Sequence, residues 1–331
     1  METSPLKKNQ PLEKNATIVN KYLKTKLKGD PKVLYDAAGH LIINGGKRLR
    51  PYMVIKSSQI LGGKISNAMP AASAIEMVHN FTLVHDDIMD NDEMRHGVPT
   101  VHKKFGIPVA ILAGDVLFSK AFQIISNSKL TTKATNQLVS RLAKACVDVC
   151  EGQLFDIKMA QSGKIPSQSE YIKMIGKKTA ALFDVSCAMG AICATNKTSD
   201  IRNLSSFGRN LGIAFQITDD LIGVMGDTRI TKKPVGNDLR EGKKSLPILL
   251  AIKSSKGKNK KIILKSFGNQ NASKSDLKKA VEVIRTLGIE ETVRNQAEKY
   301  AELAEKSLSK YSGSAKNELV ELLDFVVKRS L

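Results

Sequence analysis

The chain of 331 residues lacks the features that mark several common protein classes. It has no apolar run approaching the roughly 20 residues that a helix needs to cross a bilayer. Residues 1–20 lack a continuous apolar core and a cleavage site, so we expect no signal peptide and a cytoplasmic location. Alternation of apolar and polar residues, which marks strands, is also rare. A soluble helical protein is the first expectation.

The cysteines do not form a recognisable metal site. No CxxC pair and no close histidine partner occurs among the cysteines, which are Cys146, Cys150, Cys187 and Cys193. Zinc sites usually show such a pair or such a partner. We therefore expect reduced thiols in the hydrophobic core.

Positive charge is in large excess, with 52 basic against 32 acidic residues and a formal net charge of +20. Nucleic acid, an anionic membrane surface and small anionic substrates are the partners that such a charge favours. The lysine-rich segment 253–265 has no aromatic residues between its lysines, unlike sites for single-stranded nucleic acid. We expect a lysine-rich loop region over 253–275 and no nucleic-acid partner. Peripheral contact with anionic lipid headgroups stays open.

Apolar residues recur at spacings of three and four through nearly the whole chain, which predicts an all-α fold. Such stripes run over residues 74–88, 207–222 and 319–327. Glycine and proline interrupt them, but no interruption is long enough to be a clear linker between domains. We expect a single domain over 1–331, an antiparallel helical bundle around a deep central cavity, with a flexible start over 1–15.

Two groups of aspartates end apolar, helix-like stretches; they are Asp86, Asp87 and Asp90, and Asp219 and Asp220. Asp86 and Asp90 are four residues apart and share a helical face, so their carboxylates can converge on hard metal ions. His79, seven residues before Asp86, lies on the same face. The alternative is a solvated acidic helix end, which the apolar stretch before Asp86 disfavours.

Basic residues accompany both groups. The motif GGKRLRP at 45–51 places Lys47, Arg48 and Arg50 together after paired glycines, and such cations suit phosphate oxygens. Its glycine spacing is neither that of a Walker loop nor that of a dinucleotide fingerprint. Further basic residues lie near the second group in sequence or on separate helix-like stretches: Lys177, Lys178, Lys232, Lys233, Lys243 and Lys244. Carboxylates for metals beside fixed cations favour a diphosphate-handling enzyme.

These motifs resemble those of the trans-isoprenyl diphosphate synthases, the polyprenyl synthase family, and within it the archaeal-type geranylgeranyl diphosphate synthases. The matching stretches over about residues 40–250 occur in the family's order: GGKRLRP, HDDIMDNDxxR, GQLFD at 152–156, KKTAALF at 177–183, FQITDD, and KKPVGNDLREGKKS. The resemblance implies an all-α bundle, usually a homodimer. It implies a prenyltransferase that condenses isopentenyl diphosphate with dimethylallyl, geranyl or farnesyl diphosphate.

The resemblance also implies a role for each site residue. Asp86 and Asp90 would bind two Mg²⁺ ions, and Asp219 a third. The residues expected to bind the allylic diphosphate are Arg95, Lys178, Lys233 and Lys243. Those expected to bind isopentenyl diphosphate are Lys47, Arg50 and His79. Thr179 and Gln216 would face the developing allylic cation.

The sequence departs from the family's pattern at two positions. Gly223 stands where the second aspartate motif usually ends in another aspartate. Metal binding at that site would then depend mainly on Asp219. His96 replaces the second of two arginines, which the family assigns to isopentenyl diphosphate. Because free imidazole has a pKa of about 6.5, we expect weaker binding of this substrate above about pH 7.

Phe81 precedes Asp86 by five residues, and periodicity alone makes it a core residue. The resemblance implies more, because an aromatic residue at this position forms the floor of the elongation pocket in archaeal-type geranylgeranyl synthases. A twenty-carbon product is therefore expected, with a farnesyl or a longer-chain product as the alternative.

Other functions compete with chain elongation. A class I terpene cyclase or a head-to-head condensing enzyme shares metal-bound diphosphate ionisation, but GGKRLRP with His79 argues for a second diphosphate site. A non-catalytic subunit of a heteromeric synthase is disfavoured because the aspartates and lysines of the motifs are retained.

Overall fold

The computed structural model describes residues 10–226 and 236–327. These residues belong to two compact units. Unit 1 comprises Met1–Cys146, Val185–Ser205 and Tyr311–Lys316, and unit 2 comprises Val147–Asp184, Ser206–Lys310 and Asn317–Leu331. The single-domain organisation expected from the sequence stays a prediction.

Helices dominate the described residues, which confirms the all-α class. In chain order they are α1 (Gln10–Lys26), α2 (Lys32–Asn44), α3 (Leu49–Ile60), α4 (Ile65–Met89), α5 (Val101–Phe105), α6 (Ile107–Ser126), α7 (Thr132–Gln161), α8 (Gln168–Ile175), α9 (Ala181–Ile192), α10 (Thr198–Met225), α11 (Asn237–Glu241), α12 (Leu246–Ser254), α13 (Gly257–Ser266), α14 (Lys274–Thr286), α15 (Ile289–Ser307) and α16 (Ser314–Val327). A π-helical turn, Gly176–Ala180, joins α8 to α9. Two short antiparallel strands, β1 (Met94–Arg95) and β2 (Val98–Pro99), form a hairpin that the sequence patterns did not predict.

Helix α4 lies at the centre of unit 1, packed along α6 and α3. Residues 68–78 are buried on all sides, because small and aliphatic side chains such as Ala71, Ala74 and Ile75 surround the axis. The first turn and the last turns of the helix reach solvent. The packing therefore fixes the end of α4 that carries the first aspartate group.

The core of unit 2 gathers apolar side chains from the π-helical turn and seven helices, α8 and α10 to α15. Tyr171, Ile217 and Leu239 are among its fully buried members. This core holds α10, whose C-terminal half carries the second aspartate group, against the helices that follow it in the chain.

Two expectations about loops are wrong in part. Within the lysine-rich region 253–275, residues 257–266 form helix α13, because Ile263 gives that helix a buried side while its lysines stay exposed. Of the start expected to be flexible, residues 10–15 belong to α1, and residues 1–9 lie outside the described residues.

The cysteine expectation is correct for three residues and wrong for one. Cys146, Cys187 and Cys193 are buried, and burial raises the pKa of the Cys193 thiol to about 12. Cys150 is exposed on α7.

Helix α6 corrects the expectation that no long apolar segment exists. Its 20 residues are apolar enough, by length and composition, to cross a membrane. The core helices of soluble proteins pass the same test, and α6 packs along α4 with Ala113, Leu117 and Ile125 fully buried in unit 1.

Candidate active site

The first aspartate group lies at the C-terminal end of α4. Asp86 is half-buried and Asp90, the C-cap residue, is exposed. The backbone N–H of Asp90 donates to the carbonyl of Asp86 at 2.8 Å, so the two residues lie one helical turn apart. The negative end of the helix dipole adds to the charge of their carboxylates. This helix end favours cations.

Asp87 has a different role from its neighbours. It is fully buried, and its Oδ1 accepts hydrogen bonds from Arg95, with Nε and a terminal nitrogen each at 2.6 Å. Burial raises the pKa of Asp87, whereas Arg95 acts to lower it. Arg95 also contacts Asp92 at 3.5 Å. The predicted diphosphate ligand Arg95 is therefore held in place by a carboxylate that the sequence grouped with the metal ligands.

Arg95 belongs to the β1–β2 hairpin, whose two turn residues are His96 and Gly97. Their φ angles are 54° and 79°, both positive as a type I′ turn requires, and histidine is among the residues enriched in this conformation. A Cβ added to Gly45 would lie 2.6 Å from the His96 ring. Gly45, the first glycine of GGKRLRP, thus lets this loop approach the hairpin closely.

Arg48 is an anchor, not a ligand-facing cation. Its guanidinium donates to Glu76 Oε1 at 2.8 Å, to Asn20 Oδ1 at 2.7 Å and to the carbonyl of Ile42. The Arg48 and Glu76 side chains are each 3% exposed. Arg48 has a φ of 56°, which costs energy in a residue with a Cβ, and these bonds keep it there. Lys47 and Arg50, the predicted ligands, flank this anchor.

Several basic groups of unit 1 lie close enough to affect one another. Burial and the charges of Arg50, Arg95, Arg48 and His96 hold the pKa of His79 well below its usual range. Burial lowers the pKa of Arg50 to about 10, against the opposing effect of Glu76. At pH 7, His79 is therefore neutral and Arg50 is charged.

Glu76 was missed by the sequence reasoning. A signal for it existed, because Glu76 is the only acidic or basic side chain in α4 before Asp86 other than histidine. A lone carboxylate in an apolar helix is rarely buried without a partner of opposite charge.

In unit 2, the π-helical turn carries Lys177, Lys178 and Thr179. A Cβ on Gly152, the glycine of GQLFD, would lie 2.2 Å from the backbone nitrogen of Lys178. The glycine is needed because the backbone of the turn passes directly over α7. Single π-helical turns occur often at functional sites.

The side chains of this turn already have partners. Lys178 Nζ lies 2.5 Å from Asp156 Oδ2, and Lys177 contacts Asp148 and Glu151. The Thr179 hydroxyl donates to Gln216 Oε1 at 2.7 Å. Asp156, the aspartate of GQLFD, is thus a residue that orients the predicted ligand Lys178.

In the second aspartate group, as in the first, one aspartate is more exposed and its neighbour in the sequence is buried. Asp219 is exposed on α10, whereas Asp220 is buried. Asp220 accepts hydrogen bonds at 2.8 Å from the Tyr171 hydroxyl and from Gln216 Nε2, and at 3.1 Å from Lys243 Nζ. Asp220, with Asp238 and Asp219, raises the pKa of Lys243 despite burial. Lys243, a predicted diphosphate ligand, is held by carboxylates here.

Two further lysines complete the account of the predicted residues. Lys233 lies in 227–235, outside the described residues, and stays a prediction. Lys244 is buried and donates to the backbone carbonyls of Met159, Ser162 and Lys164, so it stabilises the chain after α7.

The acidic residues suit a magnesium ion that a substrate helps to bind. Within 10–226 and 236–327, no three His, Cys, Asp or Glu side chains form a group that could hold a metal. Mg²⁺ is usually held by one or two carboxylates together with substrate phosphates and water. Asp86 with Asp90, and Asp219, offer such hard oxygen donors.

Comparison with known proteins agrees with the motifs. A model of the polyprenyl synthetase family matches residues 31–284. The chain is 42% identical over 316 residues to a geranylgeranyl diphosphate synthase of Sulfolobus acidocaldarius, with 94% of this chain and 95% of that protein covered. The resemblance predicted from the motifs is confirmed and extends beyond residues 40–250.

Solved structures agree as well. The fold is similar to the crystal structure of a geranylgeranyl pyrophosphate synthetase from Pyrococcus horikoshii, with a TM-score of 0.92, 37% identity and coverage of 98% of this chain and 99% of that one. A polyprenyl synthase from Caulobacter crescentus, solved with calcium and isoprenyl diphosphate, gives a TM-score of 0.87 at 31% identity, with 99% of each chain covered.

Replacement of Gly152 tests the role of the π-helical turn. We expect Gly152→Ala to displace the turn, with a loss of about 1–3 kcal/mol in unfolding free energy and about 100-fold in kcat. Urea denaturation and steady-state kinetics measure the two effects. Gly163→Ala is the matched control, because a Cβ there meets nothing within 4 Å. Equal behaviour of the two variants would contradict this role.

The structure changes the pH range in which we expect the charge of His96 to affect the binding of isopentenyl diphosphate. Partial burial of the ring, with Arg95 and Arg48 nearby, lowers the pKa of His96 below 6.5 in spite of Glu76. The imidazole is therefore already neutral at pH 7, and the expected weakening of substrate binding falls below pH 6.5 instead of above pH 7.

A comparison of variants checks this range. His96→Arg should lower the Michaelis constant for isopentenyl diphosphate by about fivefold, equally at pH 7 and pH 8, as expected for an added charge pair worth about 1 kcal/mol. His96→Asn, neutral and tolerant of positive φ, should match the wild type over that range. A ratio that changes between pH 7 and pH 8 would place the pKa higher than the structure does.

Proposed function

The chain belongs to the polyprenyl synthetase family and is a prenyltransferase, and we propose that it extends allylic diphosphates with isopentenyl diphosphate to give geranylgeranyl diphosphate. One observation carries this proposal. Unit 1 holds both an aspartate pair at the end of α4 and a group of basic residues built on Arg48 and its neighbours. Two groups that suit diphosphates fit a chain-elongating enzyme better than a cyclase, which ionises one diphosphate.

Asp86, Asp90 and Asp219 are the residues that would hold Mg²⁺, with three ions in all. The bound ions supply positive charge that stabilises the diphosphate as the carbon–oxygen bond of the allylic substrate breaks. Arg95, fixed by Asp87, adds a positioned cation for the same phosphate oxygens.

The chain's own residues account for the remaining steps. Lys47, Arg50 and neutral His79 would bind isopentenyl diphosphate, the first two by charge and His79 by hydrogen bonding. The Thr179 hydroxyl donates its hydrogen to Gln216, so its oxygen lone pairs are left for a developing allylic cation. The departing diphosphate then accepts the proton whose loss forms the new carbon–carbon double bond.

The proposal includes assembly and location. Helix α6 exposes Ile107, Ile111 and Leu112, which are 52%, 43% and 54% exposed; Ile107 and Ile111 share one face, and Leu112 lies on the adjoining face. Apolar surface of this kind suits a contact with a second copy of the chain, and we propose a homodimer through it. We place the enzyme in the cytoplasm, with the exposed lysines of α13 available for peripheral contact with anionic lipid.

Product length is proposed to depend on an aromatic cluster. The Phe81 ring lies 5.3 Å from Phe118 of α6 and 4.7 Å from His85, and Phe118 lies 5.0 Å from Phe122, measured between ring centroids. Phe81 is thus backed by further rings and is only half-buried itself. A backed aromatic ring suits the floor of a pocket.

Turnover of defined substrates tests the proposed function. The protein is incubated with Mg²⁺, labelled isopentenyl diphosphate and, separately, dimethylallyl, geranyl or farnesyl diphosphate, and the products are sized. We expect geranylgeranyl diphosphate from each primer and none after chelation of the metal. Cyclic hydrocarbons, or no consumption of isopentenyl diphosphate, would refute the proposal.

Substitution of Phe81 tests the pocket floor. Phe81→Ala should lengthen the main product by at least one five-carbon unit, because removal of the ring opens space toward Phe118. Phe81→Ala combined with Phe118→Ala should lengthen it further. Phe267→Ala, which removes a half-buried ring in unit 2, is the control. A product of unchanged length in the double variant would reject the role of this cluster.

A further inference from the structure

Lys244 is a buried lysine for which the proposed reaction has no use. It lies between α11 and α12, and 8% of its surface is exposed. Its Nζ donates to the backbone carbonyls of Met159, Ser162 and Lys164, the last at 2.9 Å. These carbonyls stand 80 to 85 positions earlier in the sequence. Lys244 therefore joins two distant parts of the chain within unit 2.

The three acceptors around Lys244 match an ammonium group. Carbonyl oxygens can only accept, and a protonated lysine carries three N–H donors and no acceptor. Met159 lies in the last turn of α7, where backbone carbonyls lack partners within the helix and the helix dipole adds negative charge. Burial lowers the pKa of Lys244, and the three hydrogen bonds offset part of the cost of burying its charge. The ammonium of Lys244 thus caps the C-terminal end of α7.

The end of α7 that Lys244 caps also holds Lys178. Asp156 precedes Met159 by about one helical turn, and its Oδ2 lies 2.5 Å from Lys178 Nζ. One turn earlier, Gly152 allows the backbone of Lys178 to lie directly against the helix. Both the side chain and the backbone of Lys178 are therefore positioned by the last turns of α7.

Lys243, the residue directly before Lys244, is held by a different helix. Its Nζ lies 3.1 Å from Oδ1 of Asp220, which belongs to α10. Consecutive Cα atoms are 3.80 Å apart across a trans peptide bond, so neighbouring residues move together. A shift of Lys244 relative to α7 would therefore shift Lys243 relative to Lys178.

We propose that Lys244 is a positioning residue that sets the spacing between the ammonium groups of Lys178 and Lys243. It binds no substrate itself, because its three N–H donors are taken by backbone carbonyls. The inference rests on the proposed function in taking Lys178 and Lys243 as ligands of the metal-bound diphosphate. Isopentenyl diphosphate, which we expect to bind to residues of unit 1, should not depend on Lys244.

Two binding measurements test the proposal without turnover. Calorimetry gives the dissociation constants of inorganic pyrophosphate with Mg²⁺ and of isopentenyl diphosphate without added metal. Lys244→Met, which keeps an unbranched side chain and removes the ammonium, should weaken Mg²⁺-dependent pyrophosphate binding about 10-fold, as loss of a residue that orients ligands commonly does. Binding of isopentenyl diphosphate should stay within about twofold of the wild type, as expected for an independent site.

Lys253→Met is the matched control, because Lys253 is an exposed lysine of the same unit in the last turn of α12. It should change neither dissociation constant. Equal weakening of both ligands in Lys244→Met would indicate a merely structural role and overturn the proposal, as would unchanged pyrophosphate binding.

Chemical rescue decides the proposal even if Lys244→Met is unstable. Lys244→Ala removes the atoms that propylammonium can replace, and this ion offers three N–H donors to the carbonyls. Propylammonium should restore pyrophosphate binding to within about threefold of the wild type, since a diffusible ion still loses freedom of motion on binding. Tetramethylammonium, with the same charge and no N–H donor, should not restore it. Rescue by both ions, or by neither, would overturn the proposal.

These measurements are independent of the turnover assay. Neither pyrophosphate binding nor its rescue needs a prenyl chain or a chemical step. Absence of product in the turnover assay would therefore refute the proposed function, while the binding results would still decide the role of Lys244.

Discussion

Buried carboxylates that each hold a basic side chain are the interaction on which the candidate site residues of each unit depend. Asp87 holds Arg95 in unit 1, and Asp220 holds Lys243 in unit 2. Removal of one partner from a buried ion pair leaves an uncompensated charge, which is strongly destabilising. The cations are therefore fixed before any ligand arrives. In each aspartate pair, the neighbouring carboxylate, Asp86 or Asp219, is left more exposed and suited to a metal ion.

This division of roles could not be read from the sequence. Periodicity places Asp86 and Asp90 one turn apart, which is how they lie on α4 and its cap. It also assigns Asp87 to the same acidic cluster, because spacing along one helix says nothing about what packs against its other faces. Arg95 reaches Asp87 only through the β1–β2 hairpin, whose strands of two residues are too short to show an alternating pattern.

Arg48 and helix α13 show the same limit of prediction from sequence. GGKRLRP groups Arg48 with Lys47 and Arg50, yet Arg48 is buried against Glu76, a residue 28 positions away. The α13 helix was expected to be a loop because its lysines dominate its composition, although Ile263 and Ser266 give it a buried side. Local pattern predicts elements and their faces well. It does not predict which cation faces a ligand and which faces a buried carboxylate, because that depends on tertiary contacts.

The histidines of unit 1 show what these fixed charges do to the site. The pKa values of His79 and His96 are both lowered, and in both cases burial acts together with nearby arginines. The potential at these rings is thus positive even though Glu76 and Asp87 each neutralise one arginine. A bound diphosphate would reverse part of that potential, and the same coupling that lowers the two pKa values would then raise them. Diphosphate binding and proton uptake are in this way linked, and the linkage falls in the acidic range in which the lowered pKa values of His79 and His96 lie.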